Sequence, residues 1–176
     1  MAGNSQRMAA NIPGMNEPVH HNGQCSCGAA RFAVHGRPLL RAFCHCSICQ
    51  AFNDAAYADI TLFRVRDVVL PEKGQVEFRT YRPPPAARRG KCVDCGAPAI
   101  ELLKLPLAGE LAIIPSMNIA DHAFVPEPAL HIFYHRRVAD IEDKLPKYSG
   151  YWRSQLAFSC RLLPALLYKG ADKQRE

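Results

Sequence analysis

The chain has 176 residues, enough for one small hydrophobic core, and its apolar share of 48% is that of an ordinary globular domain. No run approaches the ~20 uninterrupted apolar residues of a membrane helix, since even the stretch Leu156 to Leu167 contains Arg161 and Pro164. The formal net charge of +6 raises nucleic acid as a partner, yet the basic residues are dispersed and no helix-turn-helix or aromatic-interleaved strand accompanies them, so none is expected.

Residues 1–20 are polar, with scattered alanine, proline and methionine, and read as a flexible arm. They contain no continuous apolar segment of the kind a secretory signal needs, which points to the cytoplasm, where thiols stay reduced. Ala30 to Val34 and Leu39 to Phe43 are short apolar runs beside cysteine groups, so the cysteines are expected at strand ends or hairpin turns. Ala55 to Leu62 is another strand candidate. Between Gln75 and Tyr81, Val76, Phe78 and Thr80 alternate with Glu77, Arg79 and Tyr81, as in a half-buried strand. Pro83, Pro84 and Pro85 then impose a stiff loop ahead of Arg88 and Arg89. With Ala99 to Leu103, Glu110 to Ile114 and Ile132 to Val138 the set reaches roughly seven strands, a mainly β class. Residues 21–150 are expected to form one domain. The rest, 151–176, reads as a C-terminal extension in which Tyr151 to Tyr168 is a short helix capping the sheet, broken near Pro164. Cys160, inside that apolar run, reads as a buried small hydrophobe.

The other seven of the eight cysteines fall into three tight groups: Cys25 and Cys27, then Cys44, Cys46 and Cys49, then Cys92 and Cys95. Disulfides do not suit that spacing or a reducing compartment, whereas thiolates are soft ligands that favour zinc, which takes four of them tetrahedrally. The two pairs together make four. Each pair is followed by a glycine, Gly28 or Gly96, able to take the positive φ that turns backbone amides toward sulfur. That combination describes a closed, structural site. Cys44, Cys46 and Cys49 supply three thiolates and leave a fourth position for water or a substrate thiol, as a catalytic zinc requires. Two zinc ions carried by seven thiolates would reduce the formal charge to about +3.

The motifs Gly23-Gln-Cys25-Ser-Cys27-Gly28, Cys44-His45-Cys46-Ser47-Ile-Cys49 and Arg89-Gly90-Lys-Cys92-Val-Asp-Cys95-Gly96, with His131-Ile-Phe133 and Leu145-Pro-Lys-Tyr148, resemble the glutathione-dependent formaldehyde-activating enzymes, a family grouped with centromere protein V. The resemblance runs from about Gly23 to Gly150. It implies a small zinc-stabilised β-sheet assembly of the kind shared with translationally controlled tumour protein and methionine sulfoxide reductase B. It also implies structural zinc on Cys25, Cys27, Cys92 and Cys95 and catalytic zinc on Cys44, Cys46 and Cys49. The activity implied is reversible joining of glutathione to formaldehyde, a carbon–sulfur lyase of the S-(hydroxymethyl)glutathione synthase type. Two positions depart from the family pattern: Lys91 stands where an aromatic residue is common, and Gln50 where a basic one is.

The partners expected on this reading are a small thiol and a small aldehyde. Glutathione carries two carboxylates, and Arg88 and Arg89, close ahead of Cys92, are the candidates to bind them bidentately. His45, between two ligands, is expected to point away from their face and donate a hydrogen bond to a thiolate. His131 and His135 would share one face of a strand as structural residues. Two other functions use the same residues: a non-catalytic zinc-binding interaction module, and a thiol redox enzyme acting through Cys160 or a triplet cysteine.

Overall fold

The computed structural model describes residues 20–82, 87–106 and 109–168; the expected arm up to residue 19, the triple proline and the tail from 169 lie outside the described residues. In chain order the described elements are β1 (His21–Gln24), β2 (Arg31–Val34), β3 (Leu40–Cys44), α1 (Ser47–Asn53), β4 (Ala58–Arg64), β5 (Val68–Val69), β6 (Val76–Thr80), β7 (Ala87–Cys92), β8 (Pro98–Leu105), β9 (Gly109–Pro115), β10 (His131–Ile132) and α2 (Tyr151–Leu167). The fold is mainly β, as expected, in two sheets. The small sheet runs β1-β2-β5, and the large one β10-β3-β4-β9-β8-β7-β6, antiparallel except for the β10–β3 pair.

The central strands are apolar on both sides because both faces of the large sheet are covered. Ile60, Leu62, Leu111 and Ile113 face one side, where Ala157 and Leu162 of α2 pack on them; Phe63, Ala112 and Ile114 face the other, against Phe32 and Val34 of β2. Ser154 ties the start of α2 down, accepting from the Phe133 amide at 2.8 Å and donating to the Tyr148 carbonyl at 3.1 Å.

Several expectations need correction. The strand expected over Ile132 to Val138 ends at Ile132, because Phe133 turns left-handed at φ 56° and a short 3-10 turn, Tyr134–Arg136, follows. His131 and His135 therefore do not share a strand face. The helix α2 continues through Pro164 rather than breaking there, the Tyr168 amide still reaching the Pro164 carbonyl at 3.0 Å. Cys160 is exposed, not buried. Arg88 and Arg89, which follow the expected loop, lie within strand β7, paired on both sides.

Candidate metal and active site

Cys25 follows β1 in the small sheet and Cys92 ends β7 in the large one, and the sulfurs of Cys25, Cys27, Cys92 and Cys95 lie within 4.8 Å of one another. Two matching turns bring them there. The Gly28 amide donates to the Cys25 carbonyl and the Gly96 amide to the Cys92 carbonyl, each at 2.9 Å. Gly28 and Gly96 take the positive φ expected of them, 80° and 69°. The Ala30 amide reaches the Cys25 sulfur at 3.3 Å. Sulfur separations of 3.4 Å (Cys25–Cys27) and 3.8 Å (Cys27–Cys92) suit an ion with ~2.3 Å bonds, which sets tetrahedral sulfurs about 3.8 Å apart. The thiols meanwhile compete for protons. Cys95 is drawn down to about 6, chiefly by the Ala97 amide, while Cys27, although lowered by the Ala29 amide, is pushed up to about 12 by Cys95 and Cys25. A divalent cation removes that competition by letting every sulfur ionise.

The second group is assembled by a strand end and a helix start. Cys44 closes β3, Cys46 caps α1 in an extended conformation (φ −66°, ψ 148°), and Cys49 lies one turn into the helix. The three sulfurs are again within 4.8 Å of one another. Cys46 is driven down to about 2 because Cys44 and Cys49 both hydrogen-bond to it, aided by the Cys49 amide at 3.4 Å and by Arg89. Contacts with Cys46 and Cys49, and then burial, push Cys44 up. Their proximity and burial disfavour ionising all three sulfurs at once, and a dication would remove that penalty. Each group can hold a metal ion, and all-sulfur donor sets are consistent with zinc.

The triplet opens on a large cleft. Cys44, Cys46 and Cys49 line a cavity of about 500 Å³ together with apolar Ile60, Leu103, Ile113 and Phe158. Arg82, Arg89, His135 and Arg136 line it too, with Glu101 as its single acidic residue among the described residues. Arg89 is largely buried, donates to Glu101 and approaches the Cys49 sulfur at 3.7 Å. Arg88, on the opposite face of β7, lies 3.6 Å from Glu110, covers the Phe78 ring and is absent from the cleft wall.

The sequence model described as glutathione-dependent formaldehyde-activating enzyme matches residues 20–136. The chain belongs to that family. Among solved structures, a crystal structure of a Rhodobacter sphaeroides structural-genomics target is similar at 19% identity over 60% of this chain and 91% of that one, with a TM-score of 0.46. No curated protein matches at a significant level. Among the described residues no helix is long and apolar enough to cross a membrane.

In this family member the residue between two triplet cysteines has a different partner from the one expected. His45 is fully buried, and its Nε2 meets Nδ1 of His131 at 2.9 Å, while Nε2 of His131 meets Asp143 at 2.7 Å. Asp143 is held down to about 2, chiefly by Lys147, so it accepts from His131; His131 then accepts from His45. His45 is left with a bare, buried Nδ1 that has no partner among the described residues. Burial, followed by His131, lowers its pKa to about 4 and keeps it neutral. It bonds no thiolate; it braces the Cys44–Cys46 segment against β10.

Glu101, Arg82 and Arg136 were not anticipated. Glu101 had a signal: a lone carboxylate inside the apolar run Ala99 to Leu103 implies a buried charge partner. Arg136 was hidden by the misassigned strand; Gln50 fixes its position, donating to the His45 and Arg136 carbonyls at 2.9 and 2.7 Å. Burial raises Glu101 to about 7 despite Arg89. Arg89→Ala is therefore expected to destabilise the fold by roughly 3 kcal/mol through an unpaired buried charge. That deficit should shrink below neutral pH, where Glu101 takes up a proton and the charge disappears; thermal melts across pH measure it, and a pH-independent deficit would show that the Glu101 charge is not its cause.

Proposed function

We propose that the protein joins a thiol, glutathione by preference, to formaldehyde or a related small aldehyde as a carbon–sulfur lyase or synthase, in the reducing cytoplasm. Cys25, Cys27, Cys92 and Cys95 would hold a structural zinc ion, and Cys44, Cys46 and Cys49 a catalytic one. The observation that carries the reading is that the incomplete three-cysteine group lines the cleft. In the reaction the thiol sulfur bonds to the aldehyde carbon, the carbonyl π pair moves to oxygen, and the thiol's proton ends on that oxygen; no electrons leave the pair of substrates. Zinc at the triplet supplies stabilisation of the substrate thiol as thiolate, since a free thiol is only a few per cent ionised at neutral pH.

The chain's own residues do the rest. Ile60, Leu103, Ile113 and Phe158 form an apolar wall beside which the charges act. Arg89, clamped by Glu101 and touching Cys49, keeps positive charge beside the sulfurs. Arg82 and Arg136 are exposed on the cleft wall, with no acidic partner among the described residues, and are suited to the two carboxylates of glutathione. Exchange of ¹³C-formaldehyde into its glutathione adduct should be accelerated by the zinc-loaded protein, and a rate equal to the uncatalysed exchange would refute the activity. Arg136→Ala should raise the glutathione KM about tenfold, as loss of a charge-assisted hydrogen bond implies, with a smaller effect for mercaptoethanol. Equal losses for both thiols would remove Arg136 from carboxylate binding.

A further inference from the structure

Helix α2 is apolar on two opposite faces. Ala157 and Leu162 are buried against the large sheet and Ser154 against the Phe133 and Tyr148 backbone, while Trp152 (81% exposed), Leu156 (67%), Leu163 (51%) and Leu167 (77%) are open, with Cys160 exposed among them. At 3.6 residues per turn these five open residues fall within about 80° of the helix circumference, opposite the buried face. An α-helix that is apolar on both sides belongs between two layers, and among the described residues only one is present.

We propose that a second copy of this chain is the missing layer, its α2 packed antiparallel on this stripe across a two-fold axis that passes beside Cys160. The stripe is self-complementary about that point. Leu156 and Leu163 lie four and three residues to either side of Cys160, and Trp152 and Leu167 eight and seven. Reversing one helix on another therefore seats leucine against leucine, Trp152 against Leu167 of the second copy, and the two Cys160 side chains together, as an isologous interface requires. The charges allow it. The helix's cations are Arg153 and Arg161; in this register Arg153 faces the apolar Leu167 end of the second copy, and Arg161 is turned back to the Tyr148 hydroxyl at 3.3 Å. The area is of the right order as well. At ~250 Å² for a whole Trp and somewhat less for each Leu, the exposed fractions amount to roughly 550 Å² per copy, most of the ~800 Å² per partner of a standard interface, before any flanking residue is counted.

Light scattering and sedimentation of the full zinc-loaded chain at rising concentration should reach twice 19.5 kDa. Leu156→Glu with Leu163→Glu should return the mass to that of one chain while circular dichroism and zinc content stay unchanged, since neither side chain belongs to the buried face. A short bis-maleimide should link two chains through Cys160, and Cys160→Ser should abolish the link but keep the unlinked dimer. A monomer at every concentration, a dimer indifferent to the two glutamates, or no Cys160 link would overturn the proposal. So would a monomer whose stripe binds anionic vesicles, because the face would then belong to a lipid surface.

Discussion

Cys95→Ser is expected to yield protein that is unfolded or insoluble. Cys95 is exposed, and an exposed side chain replaced by a near-isostere ordinarily changes stability by no more than about 0.5 kcal/mol. If the four thiolates share one ion, the same change removes a ligand from a centre of the kind that contributes ~10 kcal/mol or more to the folding of small zinc domains. That exceeds the whole stability margin of many domains of this size. The location aggravates the loss, because Cys25 follows β1 of the small sheet and Cys92 ends β7 of the large one, so the centre joins the two. Differential scanning calorimetry and zinc analysis decide it. A folded Cys95→Ser protein with an undiminished melting temperature would show that these sulfurs are not a structural centre.

Cys46→Ser should behave in the opposite way: zinc content lower by about one equivalent, no acceleration of formaldehyde exchange, and a cooperative fold. The reason is local. Cys46 is the N-cap of α1, and serine is among the best N-cap residues, so the helix start survives while a soft ligand is lost. Unfolding would make this centre structural too, and full zinc retention would mean that Cys46 is not a ligand.

The cysteine pairing was legible in the sequence because valence and spacing are local chemistry, and the two groups meet spatially as expected. The central strands were legible because runs rich in apolar and β-branched residues, such as Ile60 to Phe63 and Leu111 to Ile114, have few other folds open to them. What failed was set by tertiary contacts. The strands β1 and β7 are polar or basic and carry no alternation; they are strands because neighbours pair with them. The helix α1 has only seven residues, too few for a period, and depends on the Cys46 cap and on a left-handed Asp54 at φ 48°. The α2 helix keeps Pro164 because the carbonyl left without a donor belongs to exposed Cys160, where water can satisfy it. Adjacent arginines in a strand face opposite ways, so once β7 formed, Arg88 and Arg89 could not both reach the cleft.

One cysteine centre should be closed and support the fold while the other is open and reacts. Timed zinc release to a mild chelator tests it, with near-ultraviolet circular dichroism and formaldehyde exchange followed on the same sample. About one of two equivalents should leave early, taking the activity but not the fold, and restored zinc should restore activity. Release of both ions together with unfolding, or of neither, would contradict it.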